Sequence, residues 1–329
     1  MPKGGPAEVI RNNLPEHPAV RAWRTLEPPR VTPESIHPLR RKPAVYRLTG
    51  VGLGGSAVIA KRPRAADAAV ERAVYEEILP HLPVTAPHYY GSTEDEGGAC
   101  WLFLEDVGEE RYSESDEEHR VLAARWLGLM HTSVTLLAGT TEVAAHLPDG
   151  GSGRYLQHLR SARAAIVRNL SNPALTAEDV AGLEDIVCLH DLLEARWARL
   201  EEACAGVPST LVHGDFRPKN AYLRRGPAAM RLFPIDWETA GWGIPAADLT
   251  RVDVTAYWEV VRESWAGLDL QAIQRLATVG RIFQVLAAIG WDSPELAYDT
   301  PRFLRRPMAC LQVQRKRLSD AIRAAGVAA

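Results

Sequence analysis

The chain has 329 residues, of which 46% are hydrophobic and 24% are charged, and its formal net charge is −3. This balance is typical of a globular protein long enough for two lobes, and it argues against a general affinity for nucleic acid or anionic membranes. The 4 cysteines have no Cys-x-x-Cys spacing, so a disulfide framework and a zinc knuckle are excluded and a reducing, cytoplasmic compartment is predicted. No uninterrupted apolar run approaches the ~20 residues that span a bilayer, and the opening residues lack the apolar run of a secretory signal.

The first third of the chain has the pattern of a small β-rich unit. Residues 1–30 are rich in proline and polar groups and are predicted to form an extension. The segments AVYRLTG (44–50) and SAVIAKR (56–62) are predicted strands, and the glycine-rich turn between them makes a β-hairpin. Residues 65–82 have apolar side chains at helical spacing, and CWLFLEDV (100–107) is predicted as a further strand.

From residue 108 onward the pattern is mainly helical. Ser115-x-x-Glu118 predicts a capping box at the start of one helix, and a longer helix is predicted to begin at Thr176 and end at Gly206. Two apolar runs, STLVHGD and MRLFPIDWE, end in carboxylates, and the second closes a predicted hairpin.

These elements predict an α+β fold in three parts. An N-terminal extension (1–30) precedes a small antiparallel β-sheet lobe (31–107), and a larger, mainly helical lobe (108–329) completes the chain. The boundary near residue 107 is where the strand pattern gives way to the helical one.

Three oxygen-bearing side chains mark one segment of the helical lobe as chemically distinct. In LVHGDFRPKNAYLRRGPAAMRLFPIDWE, Asp215 precedes Asn220 by 5 residues, and Asp236 follows 16 residues later at the end of an apolar strand. A carboxylate and an amide on one loop, facing a second carboxylate across a hairpin, form a pocket suited to Mg²⁺. Asp215 can then accept a proton from a hydroxyl held beside the metal, which is the division of labour that phosphoryl transfer needs.

The spaced motif HGD-x4-N, followed by IDWE, resembles the signature of the aminoglycoside phosphotransferase and choline kinase family, small-molecule kinases with the protein-kinase-like two-lobed fold. The resemblance implies that Asp215 is the catalytic base, that Asn220 and Asp236 bind Mg²⁺, and that ATP or GTP is the co-substrate. Arg217 lies where protein kinases have a lysine that contacts the transferred phosphate, so the resemblance gives it a role in neutralising developing charge. His213 is expected to order the catalytic loop.

The resemblance also assigns a nucleotide-binding lysine. In VIAK, Lys61 matches the lysine that reaches the α- and β-phosphates from the third strand of such a lobe. Glu71, on the following helix, is the expected ion-pair partner of Lys61, with Glu76 and Glu77 as weaker alternatives. The base is expected to lie against backbone groups around Glu105 and Val107.

The glycine-rich segment GVGLGG fits the pattern G-x-G-x-x-G, but its position excludes a nucleotide-binding role. Gly55 precedes Lys61 by 6 residues, or about 20 Å of extended chain, which leaves room for one strand only. A dinucleotide-binding turn is also excluded, because a β-branched run ending in proline follows where a helix should begin. The nucleotide loop is therefore predicted earlier, at IHPLRRKPA (36–44), which has no glycine. Its basic side chains either contact phosphate or are solvated surface residues: Arg40, Arg41 and Lys42.

Two further features favour a small-molecule substrate over a protein. Gly214 replaces the arginine with which phosphorylation-regulated protein kinases hold their activation loop, and no A-P-E segment follows Asp236. The segment GWGIPAADL instead resembles the G-x-P-x-x-D-L stretch of small-molecule kinases, which implies that Asp248 braces the catalytic loop. His131 is expected to have a structural role.

The predicted function is the transfer of the γ-phosphoryl group of ATP or GTP to a hydroxyl of an aminoglycoside-like or other antibiotic. The alternatives are a kinase for a metabolite such as choline, a sugar or an amino alcohol, a nucleotide-binding pseudokinase, and a metal-dependent phosphoesterase. The carboxylates and tryptophans between 237 and 265 suit a cationic acceptor; alternatively, the tryptophans belong to the core and the carboxylates face solvent. The basic segment RFLRRPMACLQVQRKR suits an anionic acceptor or is an exposed helix face. No nucleic-acid, membrane or protein partner is expected.

Overall fold

A computed structural model describes residues 9–28, 30–40, 44–95, 97–137, 144–227 and 229–327 of the chain. These residues form two compact units. The first lies within Met1–Ser113, Leu137–Leu147 and Arg217–Ala240, and the second within Glu114–Leu136, Pro148–Phe216 and Gly241–Ala329. Strands dominate the first unit and helices the second, so the predicted α+β class is confirmed.

The predicted domain boundaries differ from these units in two respects. The segment Arg217–Ala240 belongs to the first unit, although the sequence pattern assigned it to the lobe 108–329. Residues of the predicted extension 1–30 contribute to the core of the first unit, where Val20 and Trp23 are fully buried. Both differences arise because compact units are defined by contacts between segments that are distant in sequence, which composition does not reveal.

The first unit contains an antiparallel sheet whose strands are β1 (Ile36–Arg40), β2 (Ala44–Leu48), β3 (Val58–Arg62), β4 (Tyr89–Glu94) and β5 (Cys100–Glu105). Hydrogen-bonded neighbours follow the order β1-β2-β3-β5-β4, and each neighbouring pair is antiparallel. Side chains of β3 alternate between the two faces of the sheet, so Val58 and Ala60 enter the core on one face. Lys61 therefore points to the opposite face.

The turn between β2 and β3 confirms the prediction for GVGLGG. The two strands pair with Val45 opposite Lys61, so the glycine-rich segment connects adjacent antiparallel strands. Gly50, Gly54 and Gly55 have φ values of 77°, 64° and 80°, the left-handed region in which residues with a Cβ are strained. The glycines are required by the turn, and Lys61 lies on the third strand as predicted.

Two helices of the first unit flank this sheet. Helix α1 (Pro18–Arg24) contributes Trp23 to the core, and helix α2 (Ala65–Ala73) follows β3. The helix predicted over 65–82 is shorter than expected, because at residue 74 it widens into a π-helical turn, Val74–Ile78. Single π-helical turns are rare and occur frequently at functional sites.

The remaining strands form two ribbons: β6 (Thr210–Val212), β7 (Ala221–Arg225), β8 (Met230–Pro234) and β9 (Gly241–Gly243). The antiparallel pair β7–β8 belongs to the first unit and the antiparallel pair β6–β9 to the second. The predicted hairpin that closes with MRLFPID is therefore confirmed. It is attached to the segment that follows β5, because the N–H of Tyr112 donates to the carbonyl of Ala221 at 3.0 Å.

The second unit is mainly helical, with α3 (Glu117–Ser133), α4 (Ser152–Asn169), α5 (Ala177–Ala195), α6 (Trp197–Cys204), α7 (Val254–Val261), α8 (Leu270–Asp292) and α9 (Pro301–Ala324). Helix α8 packs against α4, α9 and the turn Pro245–Arg251. A Cβ at Gly280 would lie 1.8 Å from the carbonyl oxygen of Ala246, so glycine is what allows this close approach. By length and composition α8 resembles a membrane-spanning helix, but 61% of its apolar window is buried, as in the core helix of a globular unit.

Of the two N-terminal caps predicted from the sequence, one is present in the structure and the other is not. Thr176 Oγ1 accepts the N–H of Asp179 at 3.1 Å, and the Asp179 carboxylate accepts the N–H of Thr176 at 3.0 Å, so this start is confirmed. The helix breaks at Arg196, however, and α6 continues to residue 204. The predicted Ser115-x-x-Glu118 box is wrong: Asp116 is the N-cap of α3, because its carboxylate accepts the N–H of His119 at 3.2 Å.

The buried His190 of α5 predicts a loss of stability in acid. Neither ring nitrogen has a hydrogen-bond partner among the described residues, and burial lowers its pKa from 6.5 to about 4. Between these two pH values the unfolded chain binds a proton that the folded chain does not, so the free energy of unfolding falls by about 3 kcal/mol as the pH drops through this window. Urea unfolding of His190→Leu between pH 7 and pH 4.5 is expected to show a shallower pH dependence.

His81→Leu, at an exposed histidine, is the control and is expected to keep the pH dependence of the unaltered chain. Equal slopes for His190→Leu and the unaltered chain would show that His190 does not carry the acid sensitivity.

Candidate active site

A buried ammonium in the first unit contacts two carboxylates. Lys61 Nζ is 2.7 Å from Glu71 Oε2 and 2.9 Å from Glu71 Oε1, and it also contacts Asp236 Oδ1. Glu71 is fully buried, whereas the alternatives Glu76 and Glu77 are exposed. The structure therefore pairs Lys61 with Glu71, as the sequence predicts, and adds Asp236 to the same ion pair.

The charge states of Lys61, Glu71 and Asp236 depend on one another. Burial alone would lower the pKa of Lys61, but the carboxylates of Glu71 and Asp236 raise it above the ordinary lysine value, so the ammonium persists. Burial raises the pKa of Glu71 above its ordinary value, and the Lys61 charge opposes this effect. Removal of Lys61 would leave the buried carboxylate of Glu71 and the partly buried carboxylate of Asp236 close together without a counter-charge.

Asp236 and Asn220 are held in place by the backbone. Asp236 follows β8 in the left-handed region, with φ 69° and ψ 58°, and Asp is one of the few residue types with a side chain that visits this region readily. Asn220 is buried at the end of the turn Pro218–Asn220, and its carbonyl accepts the N–H of Ile235 at 2.8 Å. This hydrogen bond fixes the residue before Asp236 to the backbone of Asn220.

These groups share one cavity of about 360 Å³ within the first unit. Its polar end is lined by four side chains predicted to bind nucleotide or metal: Lys61, Glu71, Asn220 and Asp236. Its walls include apolar side chains from the sheet and the hairpin: Val45, Ile59, Leu104 and Ile235. Glu105 and Val107, where the base is predicted to bind, line the same cavity. A mostly apolar pocket of this size with a few convergent polar groups suits a small ligand.

The segment predicted as the nucleotide loop, 36–44, is largely a strand. Residues 36–40 form β1, which pairs with β2, and residue 44 begins β2, so the prediction of a loop is wrong for 36–40. The proline and the basic residues of this segment weaken its strand pattern. Arg40 lines the cavity. Arg41 and Lys42 lie outside the described residues.

Two arginines that the sequence did not single out fix the segment after β5. Arg224 of β7 donates to Glu105 Oε1 at 2.6 Å and to the carbonyl of Asp106 at 3.1 Å. Arg47 of β2 lies 2.5 Å from Asp106 Oδ2 and donates to Glu109 at 3.1 Å. The Glu105 side chain is thus engaged by an arginine. Nothing in the sequence selects either arginine, because arginines at the partly exposed positions of a strand are common.

In the second unit, the loop that carries Asp215 is built around a buried carboxylate. Asp248 is fully buried and accepts the backbone N–H groups of His213 at 2.7 Å and Gly214 at 2.9 Å. Gly214 has a φ of 77°, a conformation that favours glycine. Asp215 follows, mostly buried, with its N–H donating to His213 Nδ1 at 3.4 Å. The prediction that Asp248 braces this loop is confirmed.

His131 completes this brace. It is fully buried, its Nδ1 lies 2.9 Å from the Tyr257 hydroxyl and its Nε2 lies 3.6 Å from Asp248 Oδ2. Burial raises the pKa of Asp248, but the interactions with His131 and with the N–H of His213 outweigh burial and lower it, so the group stays a carboxylate. His131 therefore has the structural role that the sequence predicts.

The structure thus groups the predicted site residues by unit. Lys61, Glu71, Asn220 and Asp236 converge in the first unit, and Asp215 belongs to the braced loop of the second. The remaining predicted site residue, Arg217, is half-buried and belongs to the first unit, although it follows Asp215 by only two positions in the chain.

The fold is that of protein-kinase-like enzymes, as comparison with solved structures shows. The GDP and kanamycin complex of APH(2″)-IIIa has a TM-score of 0.59 at 16% identity, covering 87% of this chain and 94% of that one. A microcompartment-associated aminopropanol kinase has a TM-score of 0.57 at 14% identity, covering 89% and 93%. An ethanolamine kinase from Plasmodium vivax has a TM-score of 0.56 at 13% identity, covering 85% and 80%.

The sequence profile of the phosphotransferase enzyme family matches residues 38–289, so the chain belongs to this family. The membership confirms the predicted family and the predicted class of enzyme, a phosphotransferase. No curated protein matches the chain.

The Lys61 cluster predicts a specific pattern of stabilities. Lys61→Met leaves Glu71 buried without a counter-charge and is expected to lower the free energy of unfolding by about 3–5 kcal/mol. Lys61→Met combined with Glu71→Gln removes one uncompensated charge and is expected to regain part of this loss, as measured by urea unfolding. Arg62→Met, beside Lys61 on β3 with a half-exposed side chain paired to Asp95, is expected to change the free energy by less than about 1 kcal/mol. A double variant no more stable than Lys61→Met would contradict the ion-pair interpretation.

The hydrogen bonds of Asp248 predict that the free energy of unfolding depends on its negative charge and on both of its carboxylate oxygens. Asp248→Asn keeps the shape but leaves one buried N–H facing an amide nitrogen, and it is expected to lower the free energy of unfolding by about 2–3 kcal/mol. Asp253→Asn is the matched control, because Asp253 caps α7 by accepting the N–H of Ala256 at 2.8 Å and Asn is an equally good N-cap. Similar effects of the two substitutions in urea unfolding would argue against the brace.

Proposed function

We propose that the protein transfers the γ-phosphoryl group of ATP or GTP to a hydroxyl of a small molecule. The observation that carries this proposal is the convergence of Lys61, Glu71, Asn220 and Asp236 in one cavity. Such a set combines a buried cation for phosphate with hard oxygen ligands beside it. A pseudokinase would have no need to retain the whole set, and a phosphoesterase would have no need for the lysine–glutamate pair.

The donor set at the polar end of the cavity fits Mg²⁺. No group of three or more His, Cys, Asp or Glu side chains with the spacing of a metal site occurs among the described residues. This suits Mg²⁺, which is usually bound by one or two protein ligands together with substrate phosphates rather than by a complete protein cage. Asn220 and Asp236 would supply the protein ligands. When bound, the metal neutralises charge on the phosphate oxygens.

The residues of the chain then have separate tasks. The ammonium of Lys61, oriented by Glu71, binds the phosphates of the nucleotide, and the apolar walls of the cavity hold the base. Asp215 accepts the proton of the acceptor hydroxyl, in a loop kept rigid by the hydrogen bonds to Asp248. Arg217 neutralises charge that develops on the transferred group.

An aminoglycoside-like or other antibiotic is the first candidate for the acceptor, and an amino alcohol is the second. Among the structural neighbours, one is described with GDP and kanamycin, whereas two others are kinases of aminopropanol and ethanolamine. Both classes of acceptor carry a hydroxyl and an amine. A cytoplasmic location, where ATP is abundant and cysteines stay reduced, completes the proposal.

The test is ³¹P NMR of the enzyme with Mg²⁺ and ATP, then GTP, and pools of aminoglycosides, other antibiotics and amino alcohols. The expected result is a new phosphate-ester resonance with one pool, lost in Asp215→Ala, because that variant lacks the proton acceptor while its nucleotide cavity is unchanged. Nucleotide binding by Asp215→Ala, measured by calorimetry, is the control for folding.

Three outcomes would overturn parts of the proposal. Undiminished transfer by Asp215→Ala would exclude its role as base. Nucleotide binding without an ester from any pool would favour a pseudokinase, and phosphate release that is insensitive to Lys61→Ala would favour a phosphoesterase.

A further inference from the structure

The first strand of the sheet contains an irregularity that changes the direction of its last side chain. Pro38 of β1 pairs with Tyr46 of β2. The next paired residue of β1, Arg40, lies opposite Val45, so one residue of β1 is extra, which is the arrangement of a β-bulge. In a regular ladder Arg40 would point to the same face as Tyr46, because side chains alternate along a strand.

The bulge directs Arg40 to the face of the sheet that lines the cavity. Tyr46 packs against the core on the other face, whereas Val45 and Lys61 pair with each other and line the cavity. Arg40, opposite Val45, lines the same cavity. The three residues thus form one row across adjacent strands, and two interstrand spacings separate the backbones of Arg40 and Lys61 by about 10 Å.

The charges of this row are not balanced. Lys61 contacts two carboxylates, so its cluster of one positive and two negative groups has a formal charge of −1. Such a cluster repels a polyphosphate, and binding one there requires further positive charge beside that of the metal. Among the described residues, the guanidinium of Arg40 has no ion-pair or hydrogen-bond partner, and its side chain is exposed. Arg40 is therefore a cation that a ligand of the cavity can engage.

The segment around the bulge is poorly suited to bind phosphate through its backbone. In protein kinases, a glycine-rich loop covers the phosphates. Residues 36–44 contain no glycine, and two of them, Pro38 and Pro43, have no N–H group to donate. A guanidinium group binds phosphate through two parallel hydrogen bonds, so one arginine can replace backbone contacts of this kind.

We infer that Arg40 binds the polyphosphate chain of the nucleotide through its guanidinium group. The inference rests on the proposed function, because it concerns the same nucleotide cavity, and it decides between the two alternatives that the sequence left open for this residue. The β-bulge is the structural reason, because one extra residue in β1 moves a cation from the core face of the sheet to the face that carries Lys61.

The first experiment measures ligand affinity in matched arginine variants. Displacement of a fluorescent ADP analogue gives the Kd of Mg²⁺–ADP, of magnesium tripolyphosphate and of adenosine. Arg40→Met is expected to weaken the two phosphate ligands about five- to twentyfold, because charge-assisted hydrogen bonds are lost, and to leave the Kd of adenosine unchanged. Its urea-unfolding midpoint is expected to match that of the unaltered chain.

Arg62→Met is the matched control. It removes the same charge from the same sheet, but Arg62 pairs with Asp95 and lies over the ring of Trp101, on the core face. All three Kd values are therefore expected to stay as in the unaltered chain.

Three results would overturn the inference. Unchanged affinity of Arg40→Met for Mg²⁺–ADP would make Arg40 a solvated surface residue. An equal loss for adenosine would place Arg40 against the base, and an equal loss in Arg62→Met would reduce the effect to the net charge of the sheet. Failure of the proposed transfer reaction is distinguishable, because the unaltered chain would then form no phosphate ester while the effect of Arg40→Met on the Kd of Mg²⁺–ADP would persist.

A second experiment uses the unaltered chain. Phenylglyoxal modifies exposed arginine side chains, and tandem mass spectrometry of the digested protein gives the extent of modification at each position. Mg²⁺–ADP is expected to slow the modification of Arg40 several-fold and to leave that of Arg62 unchanged. Equal modification of Arg40 with and without Mg²⁺–ADP would overturn the inference.

Discussion

The buried ammonium of Lys61 is the interaction on which the first unit depends. It neutralises two carboxylates, one from α2 and one from the turn after β8, which are brought out of water together. Each of these groups would be strongly unfavourable in the core by itself. The sheet, the helix and the hairpin must therefore be assembled correctly before all three charges are compensated. The contacts that compensate these charges therefore also build the part of the cavity lined by Lys61, Glu71 and Asp236.

The second unit also contains a buried carboxylate whose charge is compensated within the unit. Asp248 is a buried carboxylate, and its compensation comes from two backbone N–H groups and His131 rather than from an ammonium. These hydrogen bonds fix the loop that carries Asp215. Close packing of α8 at Gly280 holds the turn from which Asp248 projects. Asp215, the proposed proton acceptor, thus follows a segment held by a buried carboxylate whose charge is satisfied internally, which is the kind of support that a precise catalytic geometry needs.

Short-range patterns accounted for much of the fold and of the site. The hairpin at GVGLGG, the position of Lys61 on the third strand and the Thr176 cap follow from spacing and turn chemistry, which act over a few residues. The predicted N-cap of α3 was wrong because Ser115 and Asp116 are neighbouring residues that both favour the N-cap position. The predicted length of α5 was wrong because the helix breaks at Arg196, where neither proline nor glycine marks the break. Strand β4 was not anticipated, because its polar residues and Gly91 weaken the strand pattern.

The sequence by itself determined the family and the chemical character of the site, because the spacing HGD-x4-N and IDWE, and the lysine of VIAK, are local features of the chain. Only the tertiary structure decided that Glu71, not Glu76 or Glu77, meets Lys61 together with Asp236. It also decided that Arg217–Ala240 joins the N-terminal unit. These choices depend on which distant segments can bury charge and apolar surface together, and local periodicity carries no information about that.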